Sequence, residues 1–213
     1  MRTTDDQPLA ADKGRLRQAL IAARRTQNDQ ERQGGRDAVT QHLRSALNGM
    51  TCVAAYHPLP TEPLDPLFLD ELTLTARVLV PVVPGHAPLD WCEYPGPLRR
   101  ADCGIDEPTG PRLGPSAITT AAAILVPALA VDRTGRRLGR GGGHYDRTLD
   151  HLRRSETVRM PALIALIYDH ELLDVVPSDA HDQPVTAVIT PTTGLLPCAD
   201  GDRATGVHVR NID

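Results

Sequence analysis

One short segment of the chain concentrates residue types that can bind an anion. Five glycines lie between positions 135 and 143, directly after an apolar stretch, and a helical pattern begins near His144. Glycine lets backbone N–H groups turn toward a ligand, and the N-terminus of a helix carries partial positive charge. Arg136, Arg137 and Arg140 add full positive charges. The segment is therefore predicted to bind a phosphate-bearing ligand, with an ordinary tight turn as the alternative.

Two well-known phosphate-binding motifs do not describe this segment. The spacing G-x-x-x-x-G-K-[ST] is absent, and no acidic residue ends a following strand about 20 residues further on, as a dinucleotide site requires. Asp146 falls in the first turn of the predicted helix. A carboxylate at that position either faces the helix dipole as a cap or holds Mg²⁺ together with phosphate oxygens. Its position alone does not separate the two roles.

The elements that must position this segment begin with two helices. A helix capped by Asp12 is predicted, with Leu16, Leu20 and Ala23 on one face. A second helix is expected after about Asn28, and its apolar residues recur at helical spacing.

Turn residues mark the boundaries that follow. The pair Gly34-Gly35 is expected to break or bend the second helix, and Asn48-Gly49 to end it. Asp65-Pro66 is typical of an N-cap followed by proline at the first helical position, so a third, short helix is predicted there.

Apolar runs along the chain predict an α/β fold. Strands are expected at 52–56, 78–83, 89–94, 122–127, 163–168 and 187–190, with a long irregular stretch at 95–115. Continuous apolar strands that alternate with helices indicate an open sheet covered by helices on both faces. No linker divides the chain, so 1–213 is expected to form a single domain with flexible tails at about 1–11 and 197–213.

Composition limits the partners that the chain can bind. The 213 residues carry a net charge of −4, and only 3% are aromatic, which argues against binding to nucleic acid through a basic field or stacked rings. The longest apolar stretch, 121–131, is too short to cross a bilayer. The four cysteines form no C-x-x-C motif, and residues 1–11 lack an apolar signal segment. A cytoplasmic protein with reduced thiols is expected.

The segment Gly139–Arg147 resembles the signature loop of the 5-formyltetrahydrofolate cyclo-ligase family, also called 5,10-methenyltetrahydrofolate synthetases. The resemblance covers roughly 13–194 and includes several ordered islands. These are Lys13-x-x-Leu16-Arg17, the segment 56–65 with Glu62, Val80-Pro81-Val82-Val83, Gly104-Ile105-x-Glu107-Pro108, His181-Asp182 and Val188-Ile189-Thr190-Pro191.

The resemblance implies a fold and a reaction. The fold would be an open α/β sheet of the sugar-phosphate isomerase and CoA-transferase type. The reaction would close 5-formyltetrahydrofolate to 5,10-methenyltetrahydrofolate with ATP and Mg²⁺, through an activated imidate phosphate, and release ADP and phosphate. Such chemistry depends on positioning and charge neutralisation. The implied partners are these small molecules, and the implied assembly is a monomer or homodimer.

Residue roles carry over from the family position by position. Lys13 and Arg140 would be catalytic, stabilising charge on the transferring phosphoryl group. The ATP-binding set would be Lys13, Arg17, Arg137, Gly139, Arg140, Gly141, Gly142, Gly143, His144 and Tyr145. The substrate-binding set would be His57, Glu62, Gly143, His144 and Tyr145. The magnesium ligands would be Asp146 and Asp182.

Some features keep other interpretations open. His144 stands where many family members carry an aromatic residue, and Pro63 replaces a β-branched one. A fold does not fix a function, so a sugar-phosphate isomerase or an acyl-CoA transferase is one alternative. A protein that binds folate or nucleotide without turnover is another. Without the motif, Lys13 and Arg17 would belong to a solvated helix face.

Overall fold

The computed structural model describes residues 6–100, 106–155, 160–179 and 181–199. Within these ranges the helices are α1 (Asp6–Thr26), α2 (Asp29–Ala46), α3 (Leu67–Thr73) and α4 (His144–Arg153). The strands are β1 (Cys52–Ala54), β2 (Arg77–Val82), β3 (Asp90–Tyr94), β4 (Leu98–Arg100), β5 (Asp106–Pro108), β6 (Ala123–Pro127), β7 (Ala130–Asp132), β8 (Arg137–Leu138), β9 (Ala162–Leu166), β10 (Leu172–Leu173), β11 (Ala187–Thr190) and β12 (Gly194–Pro197). Cys103, Gly104, Ile105 and most of the predicted tails lie outside the described residues.

Seven strands form a central sheet in the order β12-β11-β9-β6-β1-β2-β3. The strands from β11 to β2 are parallel, whereas β3 and β12 pair antiparallel at the two edges. The predicted α/β class with a sheet flanked by helices is confirmed. None of the helices in the described part of the chain is long and apolar enough to cross a bilayer.

Two apolar layers cover the two faces of this sheet. Side chains alternate along β6, so Leu125 packs toward α2 and α3, while Ile124 and Val126 pack toward α4. Leu149 of α4 belongs to the second layer. Burial on both faces explains why the central strands are continuous apolar runs rather than alternating ones.

A smaller sheet supports the glycine-rich segment. Strands β10, β7 and β8 pair beside the central sheet, and α1 packs on them through Leu20 against Leu129, Leu138 and Val176. Asp132, which ends β7, is buried and accepts hydrogen bonds from the N–H groups of its own turn and from Val176 N at 3.0 Å. The segment therefore leaves the smaller sheet in a fixed direction.

The structure corrects the predicted start of the first helix and the predicted break in the second. Asp12 lies inside α1, which begins earlier, at Asp6, so part of the expected N-terminal tail is helical. Helix α2 runs without interruption through Gly34 and Gly35. Asn28 caps it, so the helix starts where the second helical pattern was expected. Gly35 is required for close packing, because a Cβ there would lie 2.9 Å from the Tyr168 ring.

Other boundaries shift by less. Helix α3 begins at Leu67 rather than Pro66, and the Asp65 carboxylate accepts a hydrogen bond from Leu67 N at 2.9 Å. The stretch 95–115, predicted to be irregular, contains the β4–β5 pair, and a 3-10 helix starts at its end, spanning Pro115–Thr120. The short strands β7, β8, β10 and β12 were not predicted.

The strand order identifies where a ligand site is expected. The chain runs from β1 to β2 on one side and then crosses to β6 on the other, so the topological switch point lies between β1 and β6. Ligands of open α/β sheets bind outside the carboxyl ends of the strands at such a point. The loops after β1, β6 and β9 meet at this edge.

Candidate active site

The inward face of α1 carries three cationic side chains to this edge. Lys13, Arg17, Leu20 and Arg24 follow helical spacing along one face, and Lys13 and Arg24 are buried with 5% and 1% of their surfaces exposed. Arg17 Nε donates to Gly139 O at 2.9 Å, which connects α1 to the glycine-rich segment. The alternative in which Lys13 lies on a solvated helix face is therefore wrong.

Glu62 is a buried carboxylate on the loop after β1, with 4% of its surface exposed. Leu59 N donates to its Oε2 at 2.9 Å. Its Oε1 faces Arg140 Nε at 3.6 Å and Arg24 Nη1 at 3.9 Å. Burial raises the pKa of Glu62, and the Leu59 N–H group and the two arginines oppose that shift. The carboxylate can accept hydrogen bonds from N–H groups of a ligand.

Arg24 is the central member of a buried ionic network. Its Nε and Nη2 donate to the two carboxylate oxygens of Glu171 at 2.6 and 2.8 Å, and Nη2 also donates to Ala128 O at 2.7 Å. Burial lowers the pKa of Arg24, but Glu171 and Glu62 outweigh that effect, so the guanidinium is charged. Sequence reasoning named neither Arg24 nor Glu171 as functional, although Arg24 shares the buried face of α1 with Lys13.

The glycines of the segment 139–143 lie against positively charged or polar side chains. A Cβ at Gly139 would lie 2.7 Å from Arg137, one at Gly141 would lie 3.6 Å from Arg17, and one at Gly143 would lie 2.7 Å from Arg147. Because they lack a Cβ, these glycines let the backbone lie directly against guanidinium groups, and the segment 139–143 with Arg17, Arg137 and Arg147 is called the cradle below. The cradle precedes the N-terminus of α4, so its charge and backbone direction fit the phosphates of a nucleotide.

Gly135 has a different role from the other glycines of the segment. Its backbone lies in the left-handed region, with φ +92°, and a Cβ there would lie 2.3 Å from Val185 O. It therefore shapes the turn after β7 and packs against the chain before β11.

Arg137 and Asp146 form an ion pair at the base of the cradle. Arg137 Nη2 donates to Asp146 Oδ1 at 2.7 Å, and the same oxygen accepts from Gln183 N at 3.3 Å. The N-cap of α4 is Gly143, and within the described ranges no side-chain hydrogen bond caps this helix. Asp146 therefore makes no capping hydrogen bond, and its carboxylate faces the chain that contains Asp182.

Lys13 is held between two carboxylates. Its Nζ lies 2.6 Å from Asp179 Oδ2 and 2.5 Å from Asp182 Oδ2, and Asp179 N also donates to Asp182. Because Gln183 follows Asp182 and donates to Asp146, the two predicted magnesium ligands belong to one connected region.

The aromatic and imidazole side chains of α4 occupy different environments. Tyr145 is partly buried, and its hydroxyl oxygen is buried without a hydrogen-bond partner in the described part of the chain. Burial raises its pKa, the Arg137 charge opposes that shift, and the Glu62 charge adds to it. His144 lies over Gly142, and its Nδ1 is 3.0 Å from Arg147 Nη2. Burial and the Arg147 charge lower the pKa of His144, which favours a neutral ring.

His57 is placed apart from this cluster by its contacts. Its ring packs edge-on against Tyr94 with centroids 5.3 Å apart, and burial lowers its pKa. It lines a cavity of about 510 Å³ together with Arg32, Arg36 and Leu59. Because Leu59 N also donates to Glu62, the cavity borders the Glu62 loop without containing the carboxylate.

The arrangement fits magnesium only together with phosphate. The described residues contain no group of three or more His, Cys, Asp or Glu side chains that could hold a metal ion. Asp146 and Asp182 each engage a cation, Arg137 and Lys13 respectively. Mg²⁺ is commonly bound by one or two carboxylates plus phosphate oxygens and water. These two residues therefore suit a magnesium ion that arrives with a nucleotide.

Known proteins share both the sequence and this fold. The sequence profile described as the 5-formyltetrahydrofolate cyclo-ligase family matches residues 9–191. A protein of Mycolicibacterium smegmatis named 5-formyltetrahydrofolate cyclo-ligase is 43% identical over 191 residues, which cover 86% of this chain and 96% of that protein. The NMR structure of Aquifex aeolicus 5,10-methenyltetrahydrofolate synthetase superimposes with a TM-score of 0.73 at 28% identity, covering 89% of this chain and 94% of that one.

A second solved structure supports the fold alone. A 5,10-methenyltetrahydrofolate synthetase from Mycoplasma pneumoniae is 20% identical, with a TM-score of 0.65, and covers 83% of this chain and 97% of that one.

Proposed function

The chain belongs to the 5-formyltetrahydrofolate cyclo-ligase family, and from this premise we propose that it converts 5-formyltetrahydrofolate to 5,10-methenyltetrahydrofolate. The reaction would require Mg²⁺ and consume ATP, and it would release ADP and phosphate. The observation that carries the proposal is the approach of Glu62 Oε1 to Arg140 Nε at 3.6 Å. It brings the carboxylate that the family motif assigns to folate beside the loop that is suited to phosphates.

The cradle and the inward face of α1 would bind the triphosphate. Gly139, Gly141, Gly142 and Gly143 would let the backbone approach it closely, and Lys13, Arg17 and Arg137 would supply charge around it. Lys13 and Arg140 would stabilise the charge that develops on the transferring γ-phosphoryl group. Preorganised charge of this kind is the main contribution that a protein makes to phosphoryl transfer.

Asp146 and Asp182 would hold the magnesium ion. When bound, the ion neutralises phosphate charge during transfer. Arg137 and Lys13 now neutralise the two carboxylates. Both cations would then face the phosphates as well as the carboxylates, which keeps the region close to neutral.

Folate would bind between the Glu62 loop and the start of α4. Glu62 would accept hydrogen bonds from N–H groups of the pterin. Tyr145, whose hydroxyl oxygen finds no hydrogen-bond partner among the residues that the structure describes, would border the same space. His144 would stack on or hydrogen-bond to the substrate as a neutral ring. His57 would contact a more distant part of the substrate from the neighbouring cavity.

The reaction balances with these groups in place. The formyl oxygen takes the γ-phosphoryl group, and ADP leaves. The nitrogen at position 10 then bonds to the formyl carbon, the bond from that carbon to the phosphorylated oxygen breaks, and phosphate departs as the nitrogen releases its proton. No step requires a covalent bond to the protein, so positioning and charge are what its side chains must provide.

The direct test is a spectroscopic assay of turnover. Purified protein is incubated with 5-formyltetrahydrofolate, ATP and Mg²⁺, and the ultraviolet absorbance of the methenyl product is followed. We expect product only when all three are present. Absence of ATP-dependent product from folded protein would refute the proposal.

His144 is the feature that favours the second candidate, a folate-binding protein without turnover. Folate binding measured by calorimetry in a preparation that makes no product would support that candidate. His144→Phe restores the ring that many family members carry, and it would then be expected to produce turnover.

A further inference from the structure

In the buried guanidinium of Arg24, the Nη1 amino group is not engaged in a hydrogen bond with any described residue. Its Nε and Nη2 are engaged by Glu171 and Ala128 O, whereas Nη1 is buried and has no hydrogen-bond partner among the described residues. An ion pair of 3.9 Å joins this Nη1 atom to Glu62 Oε1. Buried donors are almost always paired, so one that is not paired at the edge of a ligand site indicates a role there.

The three partners of Arg24 come from three neighbouring strands. Glu62 follows β1, Ala128 follows β6, and Glu171 follows β9. These strands are adjacent in the central sheet, and the switch point lies between the first two. The bidentate pair with Glu171 is itself fully buried, so the guanidinium cannot turn away from Glu62 without breaking both of its hydrogen bonds to that carboxylate.

Arg140, the other cation near Glu62, is held much less firmly. Its side chain is 40% exposed, against 1% for Arg24. It also belongs to the glycine-rich segment that the proposed function assigns to the phosphates. If Arg140 turns toward a phosphoryl group, Arg24 is the one cationic partner that Glu62 retains among the described residues.

We propose that Arg24 is a positioning residue for Glu62: its spare Nη1–H group holds the carboxylate ionised and directed at the bound substrate when Arg140 engages the nucleotide. The inference rests on the proposed function, because it assigns Glu62 to folate and Arg140 to phosphate. It divides the two arginines, which approach the same oxygen, into a fixed partner and an exchangeable one.

The electrostatic surroundings of Glu62 support this division. The charged and titratable groups that act on or respond to it are Arg24, Arg140, Tyr56 and Tyr145, with Glu171 behind Arg24. Burial raises the pKa of Glu62 and Arg24 lowers it. Removing Arg24 therefore raises the pKa of Glu62 further, and a protonated Glu62 loses part of its capacity to accept hydrogen bonds.

The test is the pH dependence of kcat/KM for 5-formyltetrahydrofolate at saturating ATP and Mg²⁺. Arg24→Met alone would leave Glu171 as a buried, unpaired charge, so the variant used is Arg24→Met with Glu171→Met. Glu171→Gln is the matched control that keeps the guanidinium. We expect the acid limb of the profile to move up by at least one pH unit in the double variant and by much less in the control. KM for folate is expected to rise as well.

Arg24→Lys is the second variant, in case the double variant does not fold. It keeps a cation beside Glu171 but cannot contact Glu171, Ala128 and Glu62 at once. An upward shift of the acid limb in Arg24→Lys, in protein shown to be folded by circular dichroism, also supports the proposal. A lower melting temperature with an unchanged acid limb and an unchanged KM would overturn it, since that is the signature of a purely structural ion pair.

Failure of the inference can be separated from failure of the proposed function. If the wild-type protein makes no product, the proposed function fails, and calorimetric binding of 5-formyltetrahydrofolate against pH replaces kinetics. Folate binding is then expected to weaken as the pH falls. If this weakening begins at a higher pH in the Arg24 variants than in the wild type, the result supports the role of Arg24. The same binding curve in wild type and variants, or no folate binding by the wild type, overturns it.

Discussion

Replacing Gly135 by alanine is expected to destabilise the protein by about 3–6 kcal/mol. Gly135 lies at φ +92°, where an L side chain is strained. Its N–H group donates to Asp132 O at 2.9 Å, and its carbonyl accepts from Val185 N at 2.9 Å. These bonds connect the turn after β7 to the chain that enters β11.

Two separate effects make up that magnitude. A left-handed backbone costs an alanine about 1–2 kcal/mol relative to glycine. The new Cβ would also lie 2.3 Å from Val185 O and 3.1 Å from the Cys198 side chain, so the backbone must shift. Such overpacking costs about 1–3 kcal/mol, and losing the Val185 hydrogen bond costs about 1 kcal/mol more.

Two glycines provide matched controls for these effects. Gly49 has φ +76° with no atom within 4 Å of a built Cβ, so Gly49→Ala isolates the backbone cost. Gly141 has φ +98°, and a Cβ there would lie 3.6 Å from the Arg17 guanidinium carbon, which is an ordinary contact distance. Gly141→Ala should therefore match Gly49→Ala in stability. It should reduce activity, because the added methyl group lies in the cradle.

Urea denaturation followed by circular dichroism measures all three variants. The expected order of stability is wild type, then Gly49→Ala and Gly141→Ala together, then Gly135→Ala well below them. If Gly135→Ala were within 1 kcal/mol of Gly49→Ala, the close contact with Val185 would not be a constraint, and the assignment of Gly135 to structure would fail.

Three further predictions concern charge. Asp146→Asn should lower the free energy of unfolding by about 1–3 kcal/mol, because asparagine still accepts from Arg137 but no longer neutralises that buried guanidinium. It should raise the Mg²⁺ concentration needed for turnover at least tenfold, and a loss of activity no larger than the loss of stability would contradict a metal role. Arg140→Ala should lower kcat about 100-fold with little change in KM, and an unchanged kcat with a raised KM would assign Arg140 to ground-state binding. Burial lowers the pKa of His57 and His144 in the folded protein. Below about pH 6.5 the unfolded chain therefore binds more protons than the folded one, and the free energy of unfolding should fall as the pH drops through that value. The double variant His57→Gln with His144→Gln should flatten this decline, measured by urea denaturation at pH 5 and pH 7.5.

Local patterns were sufficient to predict the central strands and the start of α4 at His144. Apolar runs and glycine positions depend on residues close together in the sequence, so one sequence contains the signal. The break predicted at Gly34-Gly35 was wrong. Gly35 is needed for packing against a residue far away in the sequence, because a Cβ there would lie 2.9 Å from the Tyr168 ring. A glycine pair has the same appearance in a sequence whether it ends a helix or admits a neighbour.

The ionic part of the site was harder to predict for the same reason. Arg24 and Glu171 are separated by 147 positions, and their pairing depends on β6 and β9 being neighbours in the sheet. The resemblance to the family supplied Glu62, Arg140 and Asp146 through local motifs. It supplied neither member of the buried pair, because an arginine near the end of a helix and a glutamate after a strand carry no distinctive pattern.

Pairing also explains why overall charge was a poor guide to the site. Lys13, Arg24, Arg137 and Arg140 each have a carboxylate within 4 Å. A cation that is already neutralised adds little to a long-range field, so a chain of net charge −4 can still contain an anion site. A ligand can bind only to the N–H groups of these cations that are not already engaged by a carboxylate. Local geometry, rather than the sum of charges, therefore decides which anion such a site can bind.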